Sequence, residues 1–274
     1  MKKVLITGSS GYIGSHLSKL LSDAYEVHGL DLYEPQHPVK KFTCNNINRP
    51  LSITDEYDAV IHLAALVNVS ESEKIPIQYY ITNLNGTMNV LNKIKTKNFI
   101  FASTGAAENC TSAYGLSKRA AEDVVREYCT VHNQTPYTIF RFYNVIGSNG
   151  FAPTNPDGLM YNLMKAPKSG EFTIYGTDYE ESRDGTCVRD YVHVMEICDA
   201  IKTAIEKPSN SIECLGHGVG YTVKEIVNLY KKVNDVDFSI STGPRRKGDL
   251  PSSVLEDVSP YMRNLYTIEQ LLKN

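Results

Sequence analysis

Within fourteen residues the chain passes from an apolar run, Val4-Leu5-Ile6, through Thr7-Gly8-Ser9-Ser10-Gly11-Tyr12-Ile13-Gly14 into residues 15–22, where leucines recur at helical spacing. That order reads as a strand, a tight glycine turn and a helix. A side chain in such a turn would hold a pyrophosphate off the backbone amides and off the positive end of the helix. Gly8, Gly11 and Gly14 are therefore the residues a dinucleotide cradle needs. The spacing alone also occurs in plain strand-to-helix turns, and the next segment separates the two. Residues 25–30 read as a second strand that delivers Asp31 at its end, about 20 residues beyond the glycines, where an acid accepts the ribose hydroxyls of adenosine. A carboxylate there repels a 2′-phosphate, and no Arg or Lys follows until Lys40, so NAD is favoured over NADP.

A third strand pattern, Ala59-Val60-Ile61-His62-Leu63-Ala64-Ala65, is nearly continuous in apolar residues, as expected of a parallel strand covered on both faces. Its small residues let a cofactor pass close, and His62 inside it reads as a buried, hydrogen-bonded histidine rather than a catalytic one. Residues 97–104 form another strand ending in Ser103-Thr104. Ten residues on, Tyr114 and Lys118 stand four apart on a helix that continues through Arg119-Ala120-Ala121-Glu122, which puts both side chains on one face. A tyrosine with a pKa of about 10 is a poor base near neutrality, whereas an adjacent ammonium stabilises its phenolate. Such a pair is common on solvated helix faces. Downstream of the glycine turn, Asp31 and a strand ending in hydroxyls, it becomes a candidate acid/base.

The rest of the sequence narrows the partners. The 274 residues carry a net charge of -3 with basic residues scattered, so there is no footprint for nucleic acid. Hydrophobic and charged fractions of 42% and 22% exclude a disordered chain. The apolar run at the amino terminus is too short for a signal peptide core, and no segment is long and apolar enough to span a membrane. The six cysteines, Cys44, Cys110, Cys129, Cys187, Cys198 and Cys214, hold no Cys-x-x-Cys pair and do not cluster with histidines. They are read as reduced packing residues of a cytoplasmic protein, with no metal expected.

Taken together, the glycine turn, Asp31, the hydroxyl strand end and the Tyr114/Lys118 pair resemble the extended short-chain dehydrogenases/reductases. Four later stretches narrow the resemblance: Arg141-Phe142-Tyr143-Asn144-Val145-Ile146-Gly147, Thr173-Ile174-Tyr175-Gly176, the run from Asp184 to Val194, and Pro244-Arg245-Arg246-Lys247-Gly248-Asp249-Leu250-Pro251. In this order they are similar to motifs of the UDP-glucose (UDP-galactose) 4-epimerase family, from Lys3 to about Asp257. The resemblance implies that Thr104 hydrogen-bonds the reacting oxygen, Tyr114 is the acid/base, and Lys118 is its partner and a ribose ligand. It implies NAD contacts from Gly8, Gly11, Tyr12, Ile13, Gly14, Asp31, Asn46, Ile47, Leu63, Ala64, Ala65, Thr82 and Tyr143 as well. It further implies that Asn144, Asn162, Leu163, Thr173, Tyr175, Arg189, Arg246 and Asp249 hold the UDP moiety, with Ser253 beside the sugar's C2 substituent. Two guanidiniums suit a diphosphate because each offers a planar fork of donors. For Arg189 the alternative is an ion pair with a neighbour such as Asp190.

This chain departs from the family pattern at Asn46-Ile47, where an Asp is usual, and at Val67, where some members carry a cofactor-contacting lysine. The loop from Thr104 to Tyr114 and the tail after Asp257 are short. The related nucleotide-sugar dehydratases carry an acidic pair directly after the threonine, where this chain has Gly105-Ala106-Ala107. The expectation is therefore an α/β protein with a Rossmann doubly wound parallel sheet and a smaller α/β substrate-binding lobe. Residues 1–150, receiving about 186–232, would form the NAD domain. Residues 151–185 and 233–274 would form the lobe for a UDP-sugar. The expected activity is epimerisation at C4 of a UDP-hexose, in a homodimer that buries Ala121, Val124, Val125 and Tyr128 between subunits. The competing readings are a reductase or dehydratase of the same fold, or a catalytically degenerate NAD-binding regulatory protein.

Overall fold

The structure, a computed structural model, describes residues 1–263 and 266–273; Asn264, Leu265 and Asn274, which fall in the expected lobe segment 233–274, lie outside the described residues. By packing, the chain divides into two units, Met1–Arg141 with Cys198–Glu213 and Phe142–Ile197 with Cys214–Asn274.

The first unit is built on a seven-stranded sheet in the order Asn210–Leu215, Tyr137–Phe142, Phe99–Thr104, Ala59–His62, Lys2–Thr7, Tyr25–Asp31, Lys41–Cys44. All pairings from Phe99–Thr104 across to Lys41–Cys44 are parallel. The chain starts in the middle, adds two strands on one side and then returns to build the other. This is the expected doubly wound α/β arrangement, with the switch at the strand that ends in the glycine turn. Val4, Leu5 and Ile6 are buried on both faces of the sheet, as a near-continuous apolar strand requires. Phe99, Phe101, Val60 and Leu5 meet Val90, Ala121 and Val125 in one core, where each buried Phe contributes about 1.5–3 kcal/mol.

Two boundaries differ from the pattern read in sequence. The helix Tyr12–Leu21 starts three residues before the leucine spacing does, directly after Gly11. The strand expected over 59–65 stops at His62, because Leu63 and Ala64 turn their amides onto Thr7, one bonding its carbonyl at 3.0 Å and the other its hydroxyl at 3.3 Å. Ala121 and Val125 are fully buried inside this one unit, so they are core residues and not the subunit contacts expected of them.

The second unit holds two small sheets. Glu171–Tyr175 pairs in parallel with Ser239–Gly243. Val188–His193 lies antiparallel to Gly220–Thr222 and parallel to Asn144–Ile146 and Ser252–Ser253. Helices Leu159–Ser169 and Val223–Asn234 cover a core of Leu163, Phe172, Ile174, Tyr191, Ile226 and Tyr230. Thr222 and Glu225 cap the latter helix reciprocally, each side chain bonding the other's backbone N–H. Because Val188–His193 gathers strands from before and after it in sequence, residues 142–150, 186–197 and 214–232 join 151–185 and 233–274 in this unit. Among the described residues no helix is long and apolar enough to cross a membrane.

Candidate active site

The glycine turn is closed by backbone contact. Gly8 adopts φ +76°, and a Cβ there would stand 2.8 Å from the Ala64 nitrogen; one on Gly14 would stand 2.1 Å from the Gly8 carbonyl oxygen. Neither neighbour is a flexible side chain, so any larger residue would move the turn. Gly11 is the N-cap of Tyr12–Leu21 and brings no capping side chain to the helix's first amides. Asp31, at the end of the adjacent strand, accepts the Ser10 N–H at 2.9 Å on one carboxylate oxygen and the Leu32 N–H at 2.6 Å on the other. Those bonds fix a carboxylate beside the turn and leave lone pairs for a ribose. The same segment joins the loop after Asp31 to the turn, through Ser10 Oγ donating to the Tyr33 carbonyl at 2.5 Å.

Thr104 ends Phe99–Thr104, and Tyr114 stands in the first turn of the helix Ala113–Glu127, which Ser112 caps by accepting the Gly115 N–H at 3.1 Å. Gly115 lets this turn lie against Ala106, whose carbonyl oxygen would be 2.4 Å from a Cβ at that position. The abbreviated loop between Thr104 and Tyr114 thereby packs the short helix Ala106–Asn109 onto the start of the helix Ala113–Glu127. Burial pushes the Tyr114 phenol up to about 12, and the Thr104 side chain beside it works in the opposite direction. Lys118, 3% exposed, lies with Nζ 4.1 Å from the centre of the Phe101 ring. Burial pushes this ammonium down to about 7, and Glu122 on the same helix works in the opposite direction.

The polar groups behind this pair are buried and bonded. His62, as expected, is a bonded interior histidine. Its Nδ1 pairs with Thr7 Oγ1 at 2.6 Å and its Nε2 with Thr87 Oγ1 at 3.0 Å, and burial holds it neutral with a pKa of about 3. Asn83, which sequence reasoning passed over, accepts the Leu66 N–H at 2.9 Å and donates to the Leu66 carbonyl and to Ser117 Oγ, both at 3.0 Å. Ser117 in turn donates to the Tyr114 carbonyl at 2.8 Å. One amide thus ties the segment after Ala59–His62 to the helix Ala113–Glu127. The sequence carried no signal for it: Asn83 is the buried residue of Tyr80–Asn85, and Asn85 stands two residues on.

The remaining residues expected to touch the cofactor are mixed in placement. Leu63, Ala64 and Ala65 follow directly on His62 and are half-buried. Ile47 is in the core, with its side chain against Gly86. Asn46 accepts the Asn48 N–H at 2.9 Å, and Thr82 accepts from Gln78 at 3.2 Å. Tyr143, in the second unit, donates its N–H to the Leu215 carbonyl at 3.1 Å.

In the second unit, Arg189 does not pair with Asp190. Its Nη2 lies 3.7 Å from Asp249, and Nη1 donates to the Val188 carbonyl at 2.9 Å. Asp190 is wholly buried and accepts the backbone N–H groups of His217 and Gly218, each at 2.8 Å, and of Leu255 at 3.3 Å. Arg246 lies over the Tyr175 ring at 4.2 Å and donates to the Asp157 carbonyl at 3.1 Å. Ser253 pairs with Arg189 in the strand register. The Asn144 amide donates to the Asp190 carbonyl at 3.0 Å, and that of Asn162 donates to the Pro156 and Gly158 carbonyls at 2.8 and 2.9 Å. Thr173 pairs with Ser241 at 3.0 Å, and Leu163 is fully buried in the core. Arg189, Arg246, Asp249, Tyr175 and Ser253 therefore come together in one unit, while Leu163 serves its packing. Among the described residues no group of His, Cys, Asp and Glu could hold a metal ion.

Comparison with known proteins agrees with this geometry. Residues 4–216 match the model of the NAD dependent epimerase/dehydratase family. The chain is 31% identical to UDP-glucose 4-epimerase of Bacillus subtilis (strain 168), over 90% of this chain and 86% of that one. Among solved structures it resembles UDP-glucose 4-epimerase from Bifidobacterium longum in complex with NAD+ and UDP, with a TM-score of 0.86, 26% identity and coverage of 98% and 96% of the two chains. It also resembles the UDP-Glc/GlcNAc 4-epimerase from Campylobacter jejuni, with a TM-score of 0.78, 27% identity and coverage of 99% and 97%.

Proposed function

Since the chain belongs to the NAD-dependent epimerase/dehydratase family, we propose that it interconverts the C4 configuration of UDP-hexoses through a transient 4-keto sugar. The observation that carries this reading is the Thr104 side chain beside a buried Tyr114, with Lys118 one turn on, in the same unit as the glycine turn and Asp31. The residues fit NAD. The turn admits only glycine at Gly8 and Gly14, the helix behind Gly11 has no capping side chain, and Asp31 presents a carboxylate at the strand end. Gly8, Gly11, Tyr12, Ile13 and Gly14 would hold the pyrophosphate and Asp31 the adenosine ribose, with Lys118 on the other ribose. When bound, NAD supplies the hydride acceptor and donor and, oxidised, a positive charge.

The protein's own part is proton transfer. Tyr114 Oη takes the proton of the sugar's C4 hydroxyl and later returns it, while Thr104 orients that oxygen. A phenol held at about 12 by its burial, even with Thr104 beside it, needs positive charge close by to act near neutrality, and Lys118 is the side chain placed to supply it. Dehydration would need an acid after Thr104. The first carboxylate there, Glu108, is committed to Arg141 at 3.2 Å.

Arg189 and Arg246 clamp the diphosphate, and Tyr175, Asn144, Asn162 and Asp249 complete the UDP contacts. Ser253, beside Arg189, leaves room at the sugar's C2, so UDP-N-acetylglucosamine is accepted along with UDP-glucose. The protein acts in the cytoplasm as a homodimer. The exposed apolar residues Ile77, Ile81, Met88 and Leu116 support the pairing of two helical segments from each subunit, and light scattering that finds a monomer would remove it.

The test of the reaction is incubation with UDP-glucose and UDP-N-acetylglucosamine, followed by chromatography. The 4-epimers of both are expected, and reduced or dehydrated sugars would replace this reading with one of its relatives. Ser253→Tyr should suppress the N-acetylated reaction alone; equal loss of both would show that Ser253 is not the gate.

A further inference from the structure

The buried face of the catalytic helix carries one more ionisable residue than proton transfer uses. Glu122 follows Lys118 by four residues and is 1% exposed. Its Oε1 accepts from Ser103 Oγ at 2.5 Å and from Arg141 Nε at 2.9 Å, and its Oε2 accepts from Arg141 Nη2 at 2.7 Å. Ser103 immediately precedes Thr104, and Arg141 lies in the neighbouring strand Tyr137–Phe142 and also reaches Glu108 at 3.2 Å. A carboxylate taken this far out of water is costly unless every acceptor is used, and here they are used by groups adjoining the site.

We propose that Glu122 is a positioning residue: its carboxylate, fixed by Ser103 and Arg141, keeps Lys118 in the ammonium form that proton transfer at Tyr114 requires. This rests on the epimerase reading above. The chain of contacts also locks the helix bearing Tyr114 and Lys118 to the strand bearing Thr104, so the three groups keep one geometry.

The charged and titratable surroundings are consistent with that role. From the sheet, Lys118 faces Phe101 and His62, which is neutral, and from its own helix it has Tyr114 and Glu122. From the neighbouring helical segments come Tyr79, whose hydroxyl donates to Glu71 at 2.8 Å, and Glu73, which accepts the Ala113 N–H at 3.1 Å. Glu108 is held by Arg141, and Cys129, from the turn after the helix, is a neutral thiol in the core. Of these, Glu122 is the group that acts on the Lys118 ammonium against its burial.

The experiment follows Lys118 itself as well as turnover. Lysine labelled with ¹³C at Cε, with Lys118→Arg for assignment, is titrated in the NAD-loaded parent, in Glu122→Gln and in Glu122→Asp. Glu122→Gln should lower the Lys118 midpoint by about one pH unit and the turnover at pH 7 by about tenfold. Glu122→Asp keeps the charge and should keep the parent's midpoint despite some lost activity. An unchanged midpoint in Glu122→Gln, or an equal fall in Glu122→Asp, overturns the proposal and leaves Glu122 a packing residue. Should Glu122→Gln not fold, Arg141→Gln, which removes the competing cation, must raise the midpoint; no rise has the same meaning. An inactive parent would strike the epimerase reading, and the titration would still be read.

Discussion

Around Tyr114 the polar groups are buried and paired with one another, His62 between two threonines, Asn83 between a loop and a helix, Glu122 between Ser103 and Arg141. Around Arg189 and Arg246 in the second unit the charged groups sit on strand ends and loops, 3.7 Å from a carboxylate in one case and stacked on a tyrosine in the other. The first arrangement costs desolvation and fixes geometry; the second leaves planar donor forks to be satisfied by an anion. Chemistry that depends on a single proton position suits the first, and holding a flexible diphosphate suits the second. Substitutions in the first unit should therefore act on turnover, and those in the second on substrate affinity.

The largest effect is expected at Tyr114. Tyr114→Phe should lose turnover by about 10²- to 10⁴-fold while still binding NAD, as steady-state rates and cofactor titration will report. Near-normal epimerisation by that variant would remove Tyr114 from the mechanism and erase the contrast. A smaller effect is expected at Arg189, where Lys keeps the charge but loses the fork. Arg189→Lys should raise KM for the UDP-sugar by about 10- to 100-fold with turnover within about threefold of the parent. A fall in turnover at unchanged KM would mean that the second unit also shapes the reacting geometry.

The smallest effect tests the buried polar interior through pH. Burial holds His62 at about 3 in the folded protein, against about 6.5 in an unfolded chain. The unfolded state therefore takes up the proton first. The stability due to the neutral form is complete above about pH 6.5 and is lost as pH falls toward 3, by at most about 1.4 kcal/mol per pH unit. Denaturant unfolding at pH 6.5 and pH 5 should show about 2 kcal/mol of loss that His62→Gln does not share. Equal losses in parent and variant would show that His62 is already charged or is not the group responsible.

What could be read from the sequence was what local sterics dictate. The glycine turn, Asp31 at a strand end and the Tyr114/Lys118 spacing are properties of contiguous residues, and the doubly wound sheet follows from their order. Asn83 and Glu122 were silent because their importance lies in partners 34 residues away in one case and 19 in the other. The grouping of residues 186–197 and 214–232 with the second unit was equally hidden, since it depends on Val188–His193 pairing with three distant strands. Asp190 shows the same limit: beside Arg189 in sequence it suggests an ion pair, yet in the fold it points at three backbone amides. Packing also took back Ala121 and Val125, whose helical spacing fits a subunit contact as well as a core.

The central claim is a closed redox cycle in which the hydrogen removed from C4 returns to C4 of the same sugar while Tyr114 carries the hydroxyl proton. UDP-glucose deuterated at C4, incubated with the purified protein in ordinary water and analysed by mass spectrometry and proton NMR, tests it most directly. The account predicts UDP-galactose that keeps the deuterium at C4, with no net reduced cofactor left behind. Loss of the deuterium to solvent, or its appearance in accumulated reduced cofactor beside a released keto sugar, would contradict it.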